Sequence, residues 1–184
     1  EEQGLWGGKL LANTAKTRGW KVAAVLNNDI VGNTHGIGGE HVTDRVRVFS
    51  EGIRAAADAD GLKQQRATGG EDDSPSRALA KATVVQAAAH RDIGLQVLAV
   101  RRPDRFQRGG DHIPFLEADY PAIRFSEATE NYDRQHQSLR TENGRVYGDT
   151  IEWVDFPYLA KVTALNVAMP PPWSKKRWAC QRST

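Results

Sequence analysis

The sequence contains one cysteine and one methionine, and it has neither a long apolar run nor a marked excess of either charge. A single thiol, Cys180, excludes an intrachain disulfide framework and a cluster of thiolate metal ligands. No apolar run reaches the roughly 20 residues that a membrane-spanning helix needs. The 25 Lys and Arg residues are scattered and nearly balanced by 23 Asp and Glu residues. The sequence therefore predicts neither a nucleic-acid surface nor a membrane span.

The remaining composition is that of a globular domain with two unusual ends. A chain of 184 residues with 39% hydrophobic residues suits one domain with a sizeable core. It begins with Glu1 and Glu2, and its only methionine is Met169, so we interpret residue 1 as a processing site or a cut through a longer protein. Three consecutive prolines at 170–172 prevent the last helix from continuing. We predict a domain over residues 1–168 and a poorly ordered tail rich in Pro, Trp and basic residues over 169–184.

Alternating helical and strand patterns predict the fold class. Apolar residues at helical spacing predict helices over residues 4–17, 75–90, 113–118 and 152–168. Apolar or alternating runs predict strands over residues 20–30, 45–49, 95–100 and 122–125. Ser74 and Pro75 are typical of an N-cap and a first helical position, whereas residues 57–74 show no periodicity. The order predicts an α/β fold, with a mainly parallel or mixed sheet and helices on both faces.

One strand pattern ends at an acidic residue. The apolar run from Val22 to Leu26 is followed by two asparagines, Asp29 and Gly32, which predicts a buried strand that carries Asp29 to the edge of the sheet. Side chains just beyond the carboxyl ends of strands line the ligand crevice of open α/β sheets. The pattern alone also admits a simpler interpretation, in which Asp29 only caps or turns the loop.

Further acidic and imidazole groups lie at predicted strand ends and in loops. The candidates are Glu1, Glu2, Asp29, Asp111, His112 and His136. Each has a plain alternative: a favourable charge at a helix N-terminus, a loop hydrogen-bond pair, or a solvated histidine. Together they place Asp, Glu or His in four separate loops without any cysteine. Oxygen and imidazole ligands of this kind suit zinc, or a related divalent ion, in a catalytic site.

Four motifs, taken in order, resemble those of the two-zinc aminopeptidases. They are EEQGLWGG at 1–8, LNNDIVG at 26–32, GGDHIPF at 109–115 and PAIRF at 121–125. Their order and spacing are more specific than any single motif. The same fold family includes glutamate carboxypeptidase, the transferrin-receptor ectodomain and the glutaminyl cyclases. The resemblance covers residues 1–168 and implies a zinc-exopeptidase-like α/β fold, truncated at its N-terminal side.

The resemblance also implies roles for individual residues. Glu1 matches the general base, and Glu2 matches a ligand of one zinc. Asp29 matches a ligand of the other zinc, and His136 matches the histidine that joins Glu2 on its metal. The implied cofactor is a pair of zinc ions and the implied substrate is a peptide, hydrolysed by a metal-bound hydroxide.

Two further points of the resemblance concern the loop pair Asp111–His112 and a family motif that this chain lacks. Asp111 and His112 match a pair that we expect behind the metal ligands or beside the substrate. The family has a His-x-Asp motif upstream of its paired glutamates, which supplies a terminal ligand and the bridging aspartate. This chain has no such motif, and His35 and His41 offer no substitute because they lie in a loop after Asp29. We expect the isolated chain to bind metal weakly and to be inactive.

Three functional hypotheses follow from the resemblance. The first is a zinc-dependent aminopeptidase, of which this chain is the C-terminal catalytic portion. The second is a glutaminyl cyclase, because residues 111–115 also resemble that branch. The third is a binding module without catalysis, as in the transferrin-receptor ectodomain. The family resemblance favours a secreted or periplasmic location.

Overall fold

The structure is a computed structural model that describes residues 4–54, 57–106 and 108–169. Its helices are α1 (Trp6–Thr17), α2 (Ala59–Ala67), α3 (Gly70–Asp73), α4 (Pro75–Ala89), α5 (Ile113–Glu117) and α6 (Phe156–Ala168). Its strands are β1 (Val25–Asn28), β2 (Arg45–Ser50), β3 (Gln96–Val100), β4 (Ala122–Glu127), β5 (Arg140–Glu142) and β6 (Arg145–Tyr147). Short 3₁₀ turns occupy residues 91–93, 132–134 and 151–153.

The main sheet is mixed and has the strand order β1-β4-β2-β3. Strand β4 runs parallel to β1 and antiparallel to β2, and β2 runs parallel to β3. Strands β4 and β2 are the two central strands, and all six residues of β4 are buried. The predicted α/β fold with a mixed sheet is confirmed. The expectation that residues 20–30 and 95–100 form buried strands is wrong, because β1 and β3 each pair on one side among the described residues and are largely half-buried or exposed.

Helices pack against both faces of the sheet. On one face, buried apolar residues of β2 and β4 pack with α4 and α6, and they form the larger core: Val46, Val48, Ile123, Phe125, Ala80, Ala87, Tyr158, Val162 and Leu165. On the other face, Ala122 packs with Ala12 of α1 and with Phe115 and Leu116 of α5. Alternate residues of a strand point to opposite faces, which is how β4 serves both clusters.

Helix α4 begins as the sequence predicts. The Ser74 hydroxyl accepts a hydrogen bond from the Arg77 backbone N–H at 3.1 Å, and Pro75 occupies the first turn. The same hydroxyl donates to the Glu51 carbonyl at 2.5 Å, which ties the start of the helix to the end of β2. A cap that satisfies one of the free N–H groups explains why the helix starts here.

Other segments differ from the sequence expectation. Residues 57–74, expected to be irregular, contain α2 and α3, and α2 starts at an Asp58 cap that accepts from Gly61 N–H at 2.8 Å. The loop before residue 150 contains the β5–β6 hairpin. The last helix begins at Phe156 rather than at residue 152, because Asp155 caps it. Apart from Met169, the predicted tail lies outside the described residues. None of the described helices is long and apolar enough to span a membrane.

Candidate functional site

A cavity of about 640 Å³ opens beyond the carboxyl ends of β1 and β4. This is the edge at which a ligand crevice forms in open α/β sheets. Its wall includes residues from the start of α1, both strand ends and three loops, among them Leu5, Asp29, Glu127, Arg105, Arg108, His136 and Trp153. The structure therefore brings two of the candidate residues, Asp29 and His136, to one cavity although they are far apart in the sequence.

Strand pairing sets the position of Asp29. Its backbone N–H donates to the Phe125 carbonyl at 3.2 Å and thus extends the β1–β4 pairing by one residue. The Asp29 side chain is 13% exposed, and its Oδ2 atom lies 3.0 Å from Nη2 of the fully buried Arg124. The contact between Nη2 and Oδ2 is an ion pair. The same Nη2 atom also donates a hydrogen bond to the Asp29 backbone carbonyl at 3.4 Å. Oδ2 is buried and accepts no hydrogen bond among the described residues.

Arg124 also neutralises a second buried carboxylate, Asp104. Its Nη1 atom lies 2.6 and 2.7 Å from the two carboxylate oxygens of Asp104. Burial alone would raise the pKa of the Asp104 carboxyl, but the hydrogen bonds and charge of Arg124 lower that pKa below its ordinary value. One guanidinium thus contacts two carboxylates, Asp29 on the cavity wall and Asp104 behind it, and it stabilises the ionised form of Asp104.

His112 lies beneath the cavity and not on its wall. The imidazole is fully buried, and its Nε2 atom is 2.8 Å from the Pro103 carbonyl, to which it must donate. Nδ1 lies 3.3 Å from the side-chain amide nitrogen of Asn27. In a neutral ring whose Nε2 donates, Nδ1 accepts the hydrogen bond from this amide. Burial lowers the pKa of His112, which agrees with this neutral form. His112 therefore links the loop after β3 to strand β1.

Two glycines let the loop and α1 approach these groups closely. A Cβ atom at Gly110 would lie 2.9 Å from Asp29 Oδ2 and 3.2 Å from His112 Nδ1. A Cβ atom at Gly8 would lie 2.9 Å from both the carbonyl and Oδ1 of Asp111. Asp111 therefore faces α1, and its Oδ1 is buried without a hydrogen-bond partner in the described part of the chain. Neither Asp111 nor His112 is part of the cavity wall, and their expected roles stay predictions.

His136 is positioned by a tightly bonded loop. The Asn131 side chain accepts from the Asp133 backbone N–H at 3.1 Å and starts the 3₁₀ turn that precedes His136. Asp133 also forms an ion pair with Arg145 of β6. His136 itself has a φ of 53°, in the left-handed region that few non-glycine residues adopt. This backbone conformation sets the direction of the His136 imidazole, which forms part of the cavity wall.

A third acidic residue at the cavity, Glu127, was not singled out from the sequence. Its carboxylate accepts hydrogen bonds from the backbone N–H of Asn33 at 3.0 Å and from its side-chain amide at 3.4 Å. Only 1% of the residue is exposed. Burial raises the pKa of Glu127 to about 8, although the hydrogen bonds from Asn33 oppose this shift. Glu127 can therefore hold a proton near neutral pH.

Sequence reasoning missed Arg124, Asp104 and Glu127 as contributors to the site. Arg124 lies within a predicted strand, and a charged residue in a buried strand requires a buried partner. That requirement was the available signal for the arginine, whereas nothing in the loop sequence marks Asp104 as its partner. Glu127 lies two residues beyond the predicted strand over residues 122–125, and like Asp29 it is an acidic residue at a strand end.

The described residues fit part of a zinc site. Asp29 lies on the cavity wall with its Oδ2 atom held by Arg124, and His136 adds an imidazole on the same wall. Carboxylate oxygen and imidazole nitrogen are ordinary zinc ligands. Within the described ranges, however, no three His, Cys, Asp or Glu side chains form a group that could hold a metal ion. Glu1 and Glu2, the other predicted site residues, lie outside the described residues.

Sequence comparison finds related proteins in fungi. The chain is 48% identical over 168 residues to a probable zinc metalloprotease of Leptosphaeria maculans, covering 91% of this chain and 39% of that protein. It is 46% identical over 170 residues to a probable zinc metalloprotease of Pyrenophora tritici-repentis and 41% identical over 171 residues to one of Pyricularia oryzae. Those alignments also cover 91% of this chain, and they span 35% and 34% of the relatives. The chain thus spans little more than a third of the length of these relatives.

Structural comparison agrees with the sequence relatives. The LapA aminopeptidase of Legionella pneumophila matches with a TM-score of 0.50 at 16% identity, over 91% of this chain and 35% of that protein. At this identity the match concerns the fold alone. No family model matches the chain. The relatives and the fold confirm the resemblance stated from the motifs: the chain is homologous to proteins named probable zinc metalloproteases, and its fold is similar to that of the LapA aminopeptidase.

Proposed function

We propose that this chain is the C-terminal part of the catalytic domain of a zinc-dependent aminopeptidase, which hydrolyses the peptide bond after the first residue of a peptide. The observation that carries the proposal is the position of Asp29 and His136 on the wall of one cavity beyond the carboxyl ends of β1 and β4. The names of the fungal relatives support a peptidase. The aminopeptidase fold is consistent with that chemistry.

Two zinc ions would be held by ligands from separate segments. Asp29 would bind one ion, and Glu2 together with His136 would bind the other. Bound zinc would supply a Lewis acid for the scissile carbonyl and would lower the pKa of a bound water. Leu5 lies on the cavity wall and follows Glu2 by three residues, which supports the assignment of the paired glutamates to this cavity.

The chain's own residues would prepare and carry out the proton transfers. Arg124 forms an ion pair with the Asp29 carboxylate and so fixes the position of one of its oxygens. Gly110 lets the loop after β3 close over that carboxylate, since no side chain fits there. Glu1 would act as the general base, which takes a proton from the attacking water and passes it to the leaving amine.

The remaining metal ligands define what the isolated chain can do. The family's His-x-Asp motif does not occur in a matching position of this sequence, and it supplies the ligand that bridges the two ions. We therefore infer that the 184-residue chain binds zinc weakly and is inactive on its own. The gene upstream of Glu1 is expected to encode the motif, and its absence there would contradict the aminopeptidase proposal.

The test is an activity assay of the protein extended upstream through that motif. Asp29→Asn and His136→Asn should each lower kcat/KM for an aminoacyl anilide by at least about 100-fold, because each removes a metal ligand that positions the reacting groups. His90→Asn, at the exposed end of α4, is the matched control and should leave kcat/KM unchanged. Unaltered rates in both site variants would overturn the proposal.

The same protein distinguishes the alternative reaction. The motif over residues 111–115 also resembles the glutaminyl cyclases. A peptide with N-terminal glutamine would then lose ammonia and form a ring, while aminoacyl anilides would remain intact. Inertness toward both substrates in a zinc-free protein would instead favour a binding module.

A further inference from the structure

Two exposed imidazoles, His35 and His41, stack on each other in the loop that follows β1. Their ring centroids are 4.1 Å apart and the ring planes differ by 13°. The two residues pair across an antiparallel bridge. The flanking hydrogen bonds run from Val42 N–H to the Thr34 carbonyl at 2.9 Å and from Gly36 N–H to the Glu40 carbonyl at 2.8 Å. This pattern makes His35 and His41 a non-hydrogen-bonded pair, the arrangement that brings opposing side chains closest.

The backbone of His35 is held from one side by Asn33. The Asn33 side-chain oxygen accepts from the His35 backbone N–H at 3.2 Å, and its side-chain nitrogen donates to the His35 carbonyl at 2.8 Å. Asn33 is fixed in turn by the buried carboxylate of Glu127. The position of the imidazole therefore follows from the packed end of β4 and does not depend on the loop alone.

A hydrogen-bond relay fixes the protonation of the His35 ring. The buried Thr34 hydroxyl donates its only hydrogen to Asp155 Oδ2 at 3.0 Å, and Asp155 is anchored as the cap of α6. The same hydroxyl lies 3.4 Å from His35 Nδ1 and can only accept there. His35 Nδ1 must therefore carry the proton, which leaves the lone pair on Nε2 free. An imidazole that donates through its other nitrogen to an anchored group is the usual arrangement of a histidine ligand to a metal.

We propose that His35 and His41 form a two-imidazole binding site for a late first-row divalent ion, of the class of Cu²⁺, Ni²⁺ and Zn²⁺. Imidazole nitrogen suits these ions, whereas Ca²⁺ and Mg²⁺ require several oxygen ligands. The neighbouring Glu40 carboxylate is engaged by the Gly38 backbone N–H at 3.1 Å. In the stack the in-plane lone pairs of the two rings run parallel. The His41 ring forms no hydrogen bond within the described residues, so it can turn out of the stack and direct one nitrogen at an ion bound to His35 Nε2.

This site has ligands of its own and lies beside the main cavity. His35 lines a smaller cavity of about 420 Å³, whose wall includes Arg134 and Trp153. The same two residues line the main cavity, so the two cavities adjoin. The Arg134 guanidinium stacks on the Trp153 ring at 3.3 Å from its centroid and stands between them. An ion on His35 and His41 would therefore bind next to the main cavity without using Asp29 or His136.

The test uses Cu²⁺ as the probe and the 184-residue chain with His136→Asn, which removes the competing imidazole of the main cavity. Paramagnetic Cu²⁺ should broaden the imidazole NMR signals of His35 and His41 first and leave that of His90 sharp. In calorimetric titration, His35→Asn and His41→Asn should each weaken binding by more than about tenfold, while His90→Asn should not change it. Circular dichroism confirms that each variant is folded.

The relay supplies a second, independent variant pair. Thr34→Ser retains the hydroxyl and should bind Cu²⁺ as the parent does, whereas Thr34→Val should weaken binding by about 10- to 100-fold. Broadening confined to other histidines, or equal affinity in the parent, His35→Asn and His41→Asn proteins, would overturn the proposal.

Discussion

Arg124 determines the electrostatics beneath the cavity, because its fully buried guanidinium lies between two carboxylates. It contacts Asp104 through both carboxylate oxygens and Asp29 through one. Replacing a complete buried ion pair by apolar groups can be neutral, but removing one partner leaves an unpaired buried charge. The consequence is that this one residue supplies the buried positive charge that faces both Asp29 and Asp104.

Arg124→Met tests this dependence. The substitution keeps much of the side-chain volume but removes the Arg124 charge from Asp29 and leaves Asp104 with the more distant Arg105 Nε at 3.4 Å, so the free energy of unfolding should fall by about 3–5 kcal/mol. Arg101→Met is the matched control, because its exposed ion pair with Asp72 is worth about 0–1 kcal/mol. Urea unfolding monitored by circular dichroism measures both. Equal losses in the two variants would contradict the role assigned to Arg124.

Glu127 should make stability depend on pH in a predictable direction. Its pKa is raised by burial to about 8 in the folded chain, against an ordinary value of 4.5. Between these pH values the folded state binds more protons than the unfolded state. The free energy of unfolding therefore falls as the pH rises from about 4.5 to about 8, and above pH 8 the contribution of Glu127 no longer changes with pH. Glu127→Gln retains one acceptor oxygen for the Asn33 backbone N–H, loses the second acceptor for the Asn33 side chain, and cannot ionise.

The measurement compares urea unfolding of the parent and Glu127→Gln at pH 5 and pH 8, with chelator present. The variant should gain stability relative to the parent at pH 8, and the difference should shrink at pH 5 as the parent carboxyl becomes protonated. A difference that is the same at both pH values would show that Glu127 is ionised throughout this range.

At the scale of whole elements, α6 closes the larger core through one buried stripe. Tyr158, Val162 and Leu165 recur at helical spacing, and each is at most 1% exposed. The Tyr158 hydroxyl donates to the Arg45 carbonyl at 2.8 Å and so attaches the helix to the start of β2. The stripe explains why a helix that also carries Lys161, Thr163 and Asn166 packs in a single orientation.

Leu165→Ala should lower the free energy of unfolding by about 2–5 kcal/mol, because the core cannot fill the space that the larger side chain leaves. Val167 lies two residues further along the same helix, and its side chain is 80% exposed. Val167→Ala should therefore change the free energy of unfolding by less than about 0.5 kcal/mol. Thermal or urea unfolding of the two variants provides the comparison. Similar losses in both would contradict the orientation of α6.

Local chemistry made some elements predictable from the sequence, while pairing in space determined the others. Ser74 and Pro75 predicted the start of α4, because a cap and a first-turn proline act within one turn of helix. The antiparallel pairing of β2 with β4 could not be predicted, since strand direction depends on contacts between distant segments. Edge exposure of β1 and β3 was missed for the same reason: apolar runs do not report how many partners a strand has.

The candidate site divides in the same way. Asp29 could be chosen because the strand before it and the glycine after it mark a strand end. Its neighbour Arg124 could not, because their contact requires the parallel register that sets Asn28 opposite Phe125. His112 shows the reverse case: the motif that contains it was recognised, but only coordinates place the ring beneath the cavity.

For the molecule as a whole, the sheet edge gathers Asp29 and His136, to which the family resemblance assigns chemistry, together with the buried Glu127. Asp29 arrives from β1, Glu127 from β4 and His136 from a loop tied to β6, and all three line one cavity. The described residues alone supply fewer ligands than a closed zinc site requires. The central claim is therefore that Asp29 and His136 are ligands within a site completed by residues elsewhere in the protein.

The most direct test is zinc stoichiometry after equilibrium dialysis of the protein extended upstream through the His-x-Asp motif. A His41→Asn background removes the contribution of the second proposed site. The account predicts that Asp29→Asn and His136→Asn each lose bound zinc, while His90→Asn retains the zinc content of the parent. Unchanged zinc content in both site variants would contradict the account.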